Sequence, residues 1–345
     1  MALPRACMEI KINDCKVTDP SQLRGCIPDD VVDFLEEWFS PLDYVMGRTS
    51  GSTGTPQPLR LYKCDMMASA AITNRYMGVT EHSSLLLSLS VRYIAGMMMV
   101  VRALQAGAML YVVPPSSHPL AAWSRPVDVA AMVPMQVEAT LRDSDGAARL
   151  SLVSQLLVGG APLSPQLAGR LAALPVQVYV TYGMTETVSH VALRRIGEDF
   201  YTAVGEVRFS LDNRGCLVID APHLGGRRFV TNDVVNLVDE RRFIWLGRYD
   251  NVIMSGGLKF HAESIEQKMA SLLHERYYIV PAPDDLLGQR IVLVIEGAPY
   301  DAERMQALRQ RLSTVLSRYE MPRTICFMPR FVETYSGKVK RVLPR

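Results

Sequence analysis

Thr49 to Pro56 reads TSGSTGTP, hydroxyl residues interleaved with two glycines. Thr49, Ser50, Gly51, Ser52, Thr53 and Gly54 offer backbone amides that can fold around an anion and hydroxyls that can bond phosphate oxygens, so a triphosphate is the natural guest. A flexible Gly/Ser/Thr linker has the same composition, and the run alone leaves both readings open. It lacks the Gly-Lys-Ser/Thr that closes a Walker A loop, and the chain has no G-x-G-x-x-G to support NAD binding.

Val180 to Glu186, VTYGMTE, is a second constellation. A strand running into Tyr182, Gly183, Thr185 and Glu186 sets a hydroxyl and a carboxylate at a sheet's carboxyl edge, where Glu186 suits a Mg²⁺ ion bridging phosphates. The alternative is a glycine turn into a helix capped by Thr185, with Glu186 in its first turn. In TNDVVNLVDERRFIWLGRYD, Thr231 to Asp250, Asp233 can accept from ribose hydroxyls and Arg248 can pair with phosphate or ribose oxygens. An ordinary hairpin salt pair is the competing reading. YSGKVKR, Tyr335 to Arg341, places Lys338 after a glycine, either reaching a distant site or lying on a solvated basic tail.

The elements that must position these residues follow from hydrophobic pattern. LLLSLS, AMLYVVP, VDVAAMVP, LSLVSQLLVGG and VQVYVTYG read as buried strands of an α/β sheet up to about residue 250. From Tyr201 to Trp245 shorter β-like segments with turn signals follow. After Asn251 come a helix over AESIEQKMASLLH, two strands, and a helix over AERMQALRQRLSTVLSRYE whose Met305, Leu308, Leu312, Val315 and Leu316 lie near one face. The expectation is an α/β protein: a large N-terminal α/β domain, 1–250, with mixed sheets and a β-rich segment, and a small α+β domain, 251–345.

A chain of 345 residues has room for about two domains. Its 48% hydrophobic and 21% charged residues exclude a disordered or fibrous class. Lys+Arg 37 against Asp+Glu 35 is too balanced for a protein that mainly grips nucleic acid. Six cysteines without a C-x-x-C pair read as core fillers in a reducing cytoplasm, and the histidines lack metal-ligand spacing. Arg5, Glu9, Lys11 and Asp14 interrupt any secretory signal. Arg102 and Gln105 in the middle of Tyr93 to Pro114 turn the most membrane-like stretch into an expected buried helix and strand, with no membrane span.

TSGSTGTP, VGGAPLS at Val158, YVTYGMTET, TND, LGRYDNVIMSGG and YSGKVKR resemble, in that order, the core motifs of the adenylate-forming acyl-CoA synthetase superfamily. The resemblance runs from about residue 45 to the end. RYIAGMMMVVRAL, MVPMQV and TYGMTETVSHVALRR narrow it to the short 2-succinylbenzoate CoA ligases of menaquinone biosynthesis. It implies ATP, Mg²⁺ and coenzyme A, with a small-molecule carboxylate first adenylated and then passed to the CoA thiol. It also implies that the small domain is mobile and turns about Asp250. Lys338 then serves adenylation and the Ser255 to Leu258 loop, with Gly256 and Gly257, lies near the thiol path. By the same resemblance the TSGSTGTP residues wrap the phosphates and Gly160, Ala161 and Pro162 line the adenine. Tyr182 stacks along adenine or the acyl group, Thr185 binds the α-phosphate, Glu186 holds Mg²⁺, and Asp233 with Arg248 holds the ribose. Tyr93 gates the acyl pocket.

The sequence departs from that pattern at Gln57, where a lysine commonly closes the phosphate loop, and at Asn232, where a glycine commonly precedes the ribose aspartate. Only 48 residues precede TSGSTGTP. A second carboxylate on the substrate needs a donor, for which Arg92, Ser189, His190, Arg194 and Arg195 are the candidates; a core histidine and surface arginines are the alternative. Another aryl- or acyl-CoA synthetase, a nucleotide-binding relative without turnover, a carrier-protein adenylation module and a homo-oligomer stay open.

Overall fold

A computed structural model describes residues 9–48, 57–333 and 339–344. Its apolar runs become a mixed sheet of 13 strands whose parallel centre is Ser84–Leu87, Met109–Val112, Val127–Met132, Val153–Val158 and Gln177–Gly183. These strands are apolar at successive positions because both faces are covered. Leu85, Leu87, Val129 and Leu157 join one core with the helices Lys63–Met77 and Ile94–Ala106. Leu86, Ala130, Leu156 and Val158 join another with Pro134–Arg142 and Pro165–Ala172. The alternation of side chains along a strand divides the residues in this way.

After Gly183 the pairing turns antiparallel. His190–Arg195, Tyr201–Ala203, Arg242–Arg248, Arg227–Asp239, Cys216–Ala221 and Arg208–Leu211 follow in spatial order and form the expected β-rich segment. The chain then leaves this sheet through Tyr249–Asn251 and enters a second one of five strands: Val252–Ser255, Leu258–His261, Tyr277–Asp284, Gly288–Glu296 and Thr324–Met328. Helices Ala262–Met269 and Ala302–Val315 pack on it through Ile265, Met269, Leu308 and Leu312. Both helices stop short of their expected ends, the second at Val315 rather than Glu320.

Tyr93 to Pro114 resolves into the helix Ile94–Ala106 and the strand Met109–Val112, and among the described residues no helix is long and apolar enough to cross a membrane. The cysteines correct one expectation: Cys15, Cys26 and Cys64 are exposed rather than core fillers, and Cys216 alone of those described is buried. All five described cysteines are free.

Candidate active site

Asp233 and Arg248 face each other in register on adjacent antiparallel strands. Asp233 is recessed, its side chain 16% exposed, and donors from the paired strand Arg242–Arg248 and from the more distant strand Gln177–Gly183 reach both of its oxygens. The Tyr182 hydroxyl donates to Oδ2 at 2.7 Å, Trp245 Nε1 donates to Oδ1 at 3.2 Å, and Arg248 Nη1 lies 3.5 Å from Oδ1. The Asp233 amide donates to Thr231 Oγ1, which in turn donates to the Leu217 carbonyl. Burial and the neighbouring carboxylate hold the Tyr182 phenol well above its ordinary pKa, so it remains a donor at neutral pH. A hairpin salt pair needs none of these extra donors. The arrangement instead presents an oriented carboxylate with acceptor capacity left for vicinal hydroxyls.

The Tyr182 ring packs edge-on against Phe243 and beside Tyr201, with centroids 5.0 and 5.7 Å away. Asn232, the departure beside the aspartate, is gripped by Arg214 Nη1 at 2.9 Å, and the same guanidinium lies over the Tyr249 ring.

No helix follows Gly183, so Thr185 is not a helix cap. Residues 184–189 turn back into the strand His190–Arg195. Gly183 is required there, because a Cβ would come 2.3 Å from the Ser189 carbonyl oxygen. Thr187, which sequence reasoning passed over, is fully buried; its hydroxyl accepts from the Met184 amide at 3.0 Å and lies 2.8 Å from the Ser189 carbonyl. That clamp holds Val188 at φ 65, an unfavourable value for a β-branched residue. Thr185 is buried and the Glu186 side chain is exposed, so its carboxylate is open to a hard cation at the carboxyl edge of the parallel strands. Gly160, Ala161 and Pro162 are exposed just past the neighbouring strand Val153–Val158.

Behind this loop lies a buried polar cluster. Arg102, 3% exposed, donates from Nη2 to Ser189 Oγ at 2.8 Å, its Nη1 meets the Met99 sulfur, and its Nε has no partner. Among the described residues no carboxylate pairs with it. Burial lowers its pKa to about 10, which leaves it charged at neutral pH. His190 is 6% exposed, with Nε2 3.0 Å from Thr73 Oγ1. Burial first, and then the Arg102 charge, keep this imidazole well below its ordinary pKa and therefore neutral.

The structure thus brings Ser189 and His190 together with Arg102 and leaves the other arginines outside. Arg92 is an exposed side chain 4.0 Å from Asp30, and Arg194 donates to the Glu198 carbonyl and lies over Tyr201. Tyr93, 48% exposed, precedes the helix that carries Arg102. The one signal for Arg102 in the sequence is a charge inside an apolar helix. Asp250 lies in the connection between the sheets, 3.5 Å from Arg248 Nη2, and Gly256 and Gly257 make the turn between Val252–Ser255 and Leu258–His261. Thr49 to Gly54 and Lys338 lie outside the described residues.

The profile of the AMP-binding enzyme family matches residues 27–225. The chain belongs to this family. A solved acyl-CoA synthetase (AMP-forming)/AMP-acid ligase II-like protein from Dyadobacter fermentans is 35% identical, with 90% of this chain and 91% of that one covered and a TM-score of 0.62. The 2-succinylbenzoate–CoA ligase of Haemophilus influenzae is 27% identical over 328 residues, 88% of this chain and 70% of that protein. The o-succinylbenzoate coenzyme A synthetase of Bacillus subtilis, solved with ATP and magnesium ion, shares the fold at a TM-score of 0.72 and 18% identity, over 85% of this chain and 68% of that one. Within the AMP-binding family the chain is an AMP-forming acyl-CoA ligase.

Proposed function

We propose that this ligase activates an aromatic dicarboxylate, 2-succinylbenzoate, as its acyl adenylate and passes the acyl group to coenzyme A. The observation that carries the substrate is Arg102. A guanidinium withdrawn from water without a carboxylate partner is expensive, and an incoming anion that pairs with it offsets the cost. One substrate carboxylate is consumed by activation, so a diacid alone brings a second. Relatives named 2-succinylbenzoate–CoA ligase support that identity.

In the first step a carboxylate oxygen bonds to the α-phosphorus of ATP while the bond to pyrophosphate breaks. In the second the CoA thiol attacks the acyl carbon, loses its proton, and AMP leaves with the carbon–oxygen bond pair. Asp233, oriented by Tyr182, Trp245 and Arg248, holds the ribose; Thr185 and Glu186 serve the α-phosphate and a Mg²⁺ ion; Thr49 to Gly54 wrap the phosphates. Mg²⁺ supplies charge neutralisation for the displacement. Residues 1–250 form the adenylating domain and 251–345 a smaller one that turns about Asp250, bringing Lys338 to the first step and the Gly256–Gly257 turn to the second.

Replacing Arg102 tests the substrate. Arg102→Met is expected to raise the Michaelis constant for 2-succinylbenzoate about tenfold or more, the scale of a lost charged hydrogen bond, and to leave that of benzoate nearly unchanged. Equal changes for both acids contradict the assignment.

A further inference from the structure

Lys340, Arg341 and Val342 are three consecutive residues, each tied to a different part of the small sheet's surroundings. The Lys340 amide donates to the Val332 carbonyl at 2.7 Å, and the Val342 carbonyl accepts from the Tyr278 hydroxyl at 2.8 Å. Between them Arg341 forms a two-pronged pair with Glu266: Nη2 donates to Oε2 at 2.8 Å and Nη1 to Oε1. Nη1 also donates to the Ile279 carbonyl at 3.1 Å, while Glu266 Oε1 accepts from the Ile279 amide at 2.6 Å. Both side chains are largely recessed, at 22% and 17% exposure. The neighbouring Glu263 carboxylate lies 3.5 Å from Arg341 Nη2 and accepts from Asn251, the residue after Asp250.

Such a recessed ion pair contributes little net stability, because desolvation cancels much of the attraction. Its fork geometry does restrict orientation strongly. The described part of this C-terminal segment belongs to no strand and makes one isolated bridge, Glu333 with Val339, so side-chain ties must do what a ladder does elsewhere. Lys338 is three residues upstream of Arg341.

We infer that Arg341, through its fork on Glu266, is a positioning residue for the adenylation half-reaction: it anchors the segment that carries Lys338 to helix Ala262–Met269. The inference rests on the adenylation role proposed above for Lys338. A misplacement of a catalytic group by about an ångström can cost a hundredfold in rate, so a tie this close to the lysine is worth more to catalysis than to stability.

The test compares Arg341→Met, Arg341→Lys, Glu266→Gln and Lys338→Ala in the full chain. Acyl-adenylate formation is read by ATP–pyrophosphate exchange, and thiolysis by CoA consumption of a supplied acyl adenylate. Arg341→Met and Glu266→Gln are expected to lower kcat for adenylation about tenfold or more, with KM for ATP and the rate of thiolysis changed by no more than about twofold; Arg341→Lys recovers part of the loss. Parallel loss of both half-reactions would mean a structural role and overturn the inference. So would unchanged adenylation in Arg341→Met alongside its abolition in Lys338→Ala, a result that leaves the lysine's own role standing. Adenylation that survives Lys338→Ala removes that role and the inference together.

Discussion

Asp233 shows how much of a site depends on groups that do no chemistry themselves. Its carboxylate takes the Tyr182 hydroxyl on one oxygen and the Trp245 indole and Arg248 on the other, so its free lone pairs point in a set direction. Hydrogen bonds to a charged acceptor contribute about 1.5–3 kcal/mol, and partial exposure places this site at the lower end. Tyr182→Phe and Trp245→Phe are therefore each expected to raise KM for ATP about tenfold, while KM for the acid stays within about twofold, in steady-state kinetics with each substrate varied. A rise confined to the acid would move Tyr182 from the ribose to the acyl group. As ribose-binding candidates Asp233 and Arg248 were legible, because a carboxylate and a guanidinium in a motif suggest their own chemistry, and the structure sets the two side by side. Trp245 and Arg102 were not, since an indole in a β-rich run and a charge in an apolar helix acquire meaning only through what register and packing set beside them.

At the scale of elements, the strands were readable from apolar runs and their glycine boundaries, whereas the change from parallel to antiparallel pairing comes at Gly183, ahead of the change of texture read at Tyr201. The turn after Gly183 was not readable: Thr185 followed by Glu186 suits a helix start, and a buried Thr187 clamp with a left-handed Val188 overrides that local preference. Glycine also decides how the second sheet meets the first. Helix Ala262–Met269 approaches Arg242–Arg248 so closely that a Cβ on Gly247, at φ 151, would lie 2.3 Å from Glu263 Oε2. Gly247→Ala is expected to destabilise the protein by about 1–3 kcal/mol through overpacking, read as a lower Tm. Removing the opposing carboxylate in Gly247→Ala with Glu263→Ala should return part of that loss. Additive losses in the double-mutant cycle would place the strain elsewhere.

At the scale of the whole molecule, two sheets are joined by Tyr249–Asn251, and helix Ala262–Met269 reaches back across the join. Ser264 Oγ donates to the Leu246 carbonyl at 2.8 Å, and Asn251 donates to Glu263. The rotation about Asp250 proposed above would break the first of these contacts, whereas the Arg341–Glu266 fork lies wholly beyond residue 250 and would travel with the smaller part. The second sheet was legible in the sequence from the helix and strand runs that follow Asn251. Which contacts span the join depends on tertiary packing and appears only in three dimensions. The central claim, an AMP-forming ligase that selects an aromatic diacid through a buried guanidinium, is tested most directly by mass spectrometry of the products formed from ATP, Mg²⁺, CoA and, in separate reactions, 2-succinylbenzoate, benzoate and octanoate. The account predicts 2-succinylbenzoyl-CoA with matching AMP and little thioester from either monoacid; thioester from a monoacid in preference to the diacid, or no AMP with any acid, would contradict it.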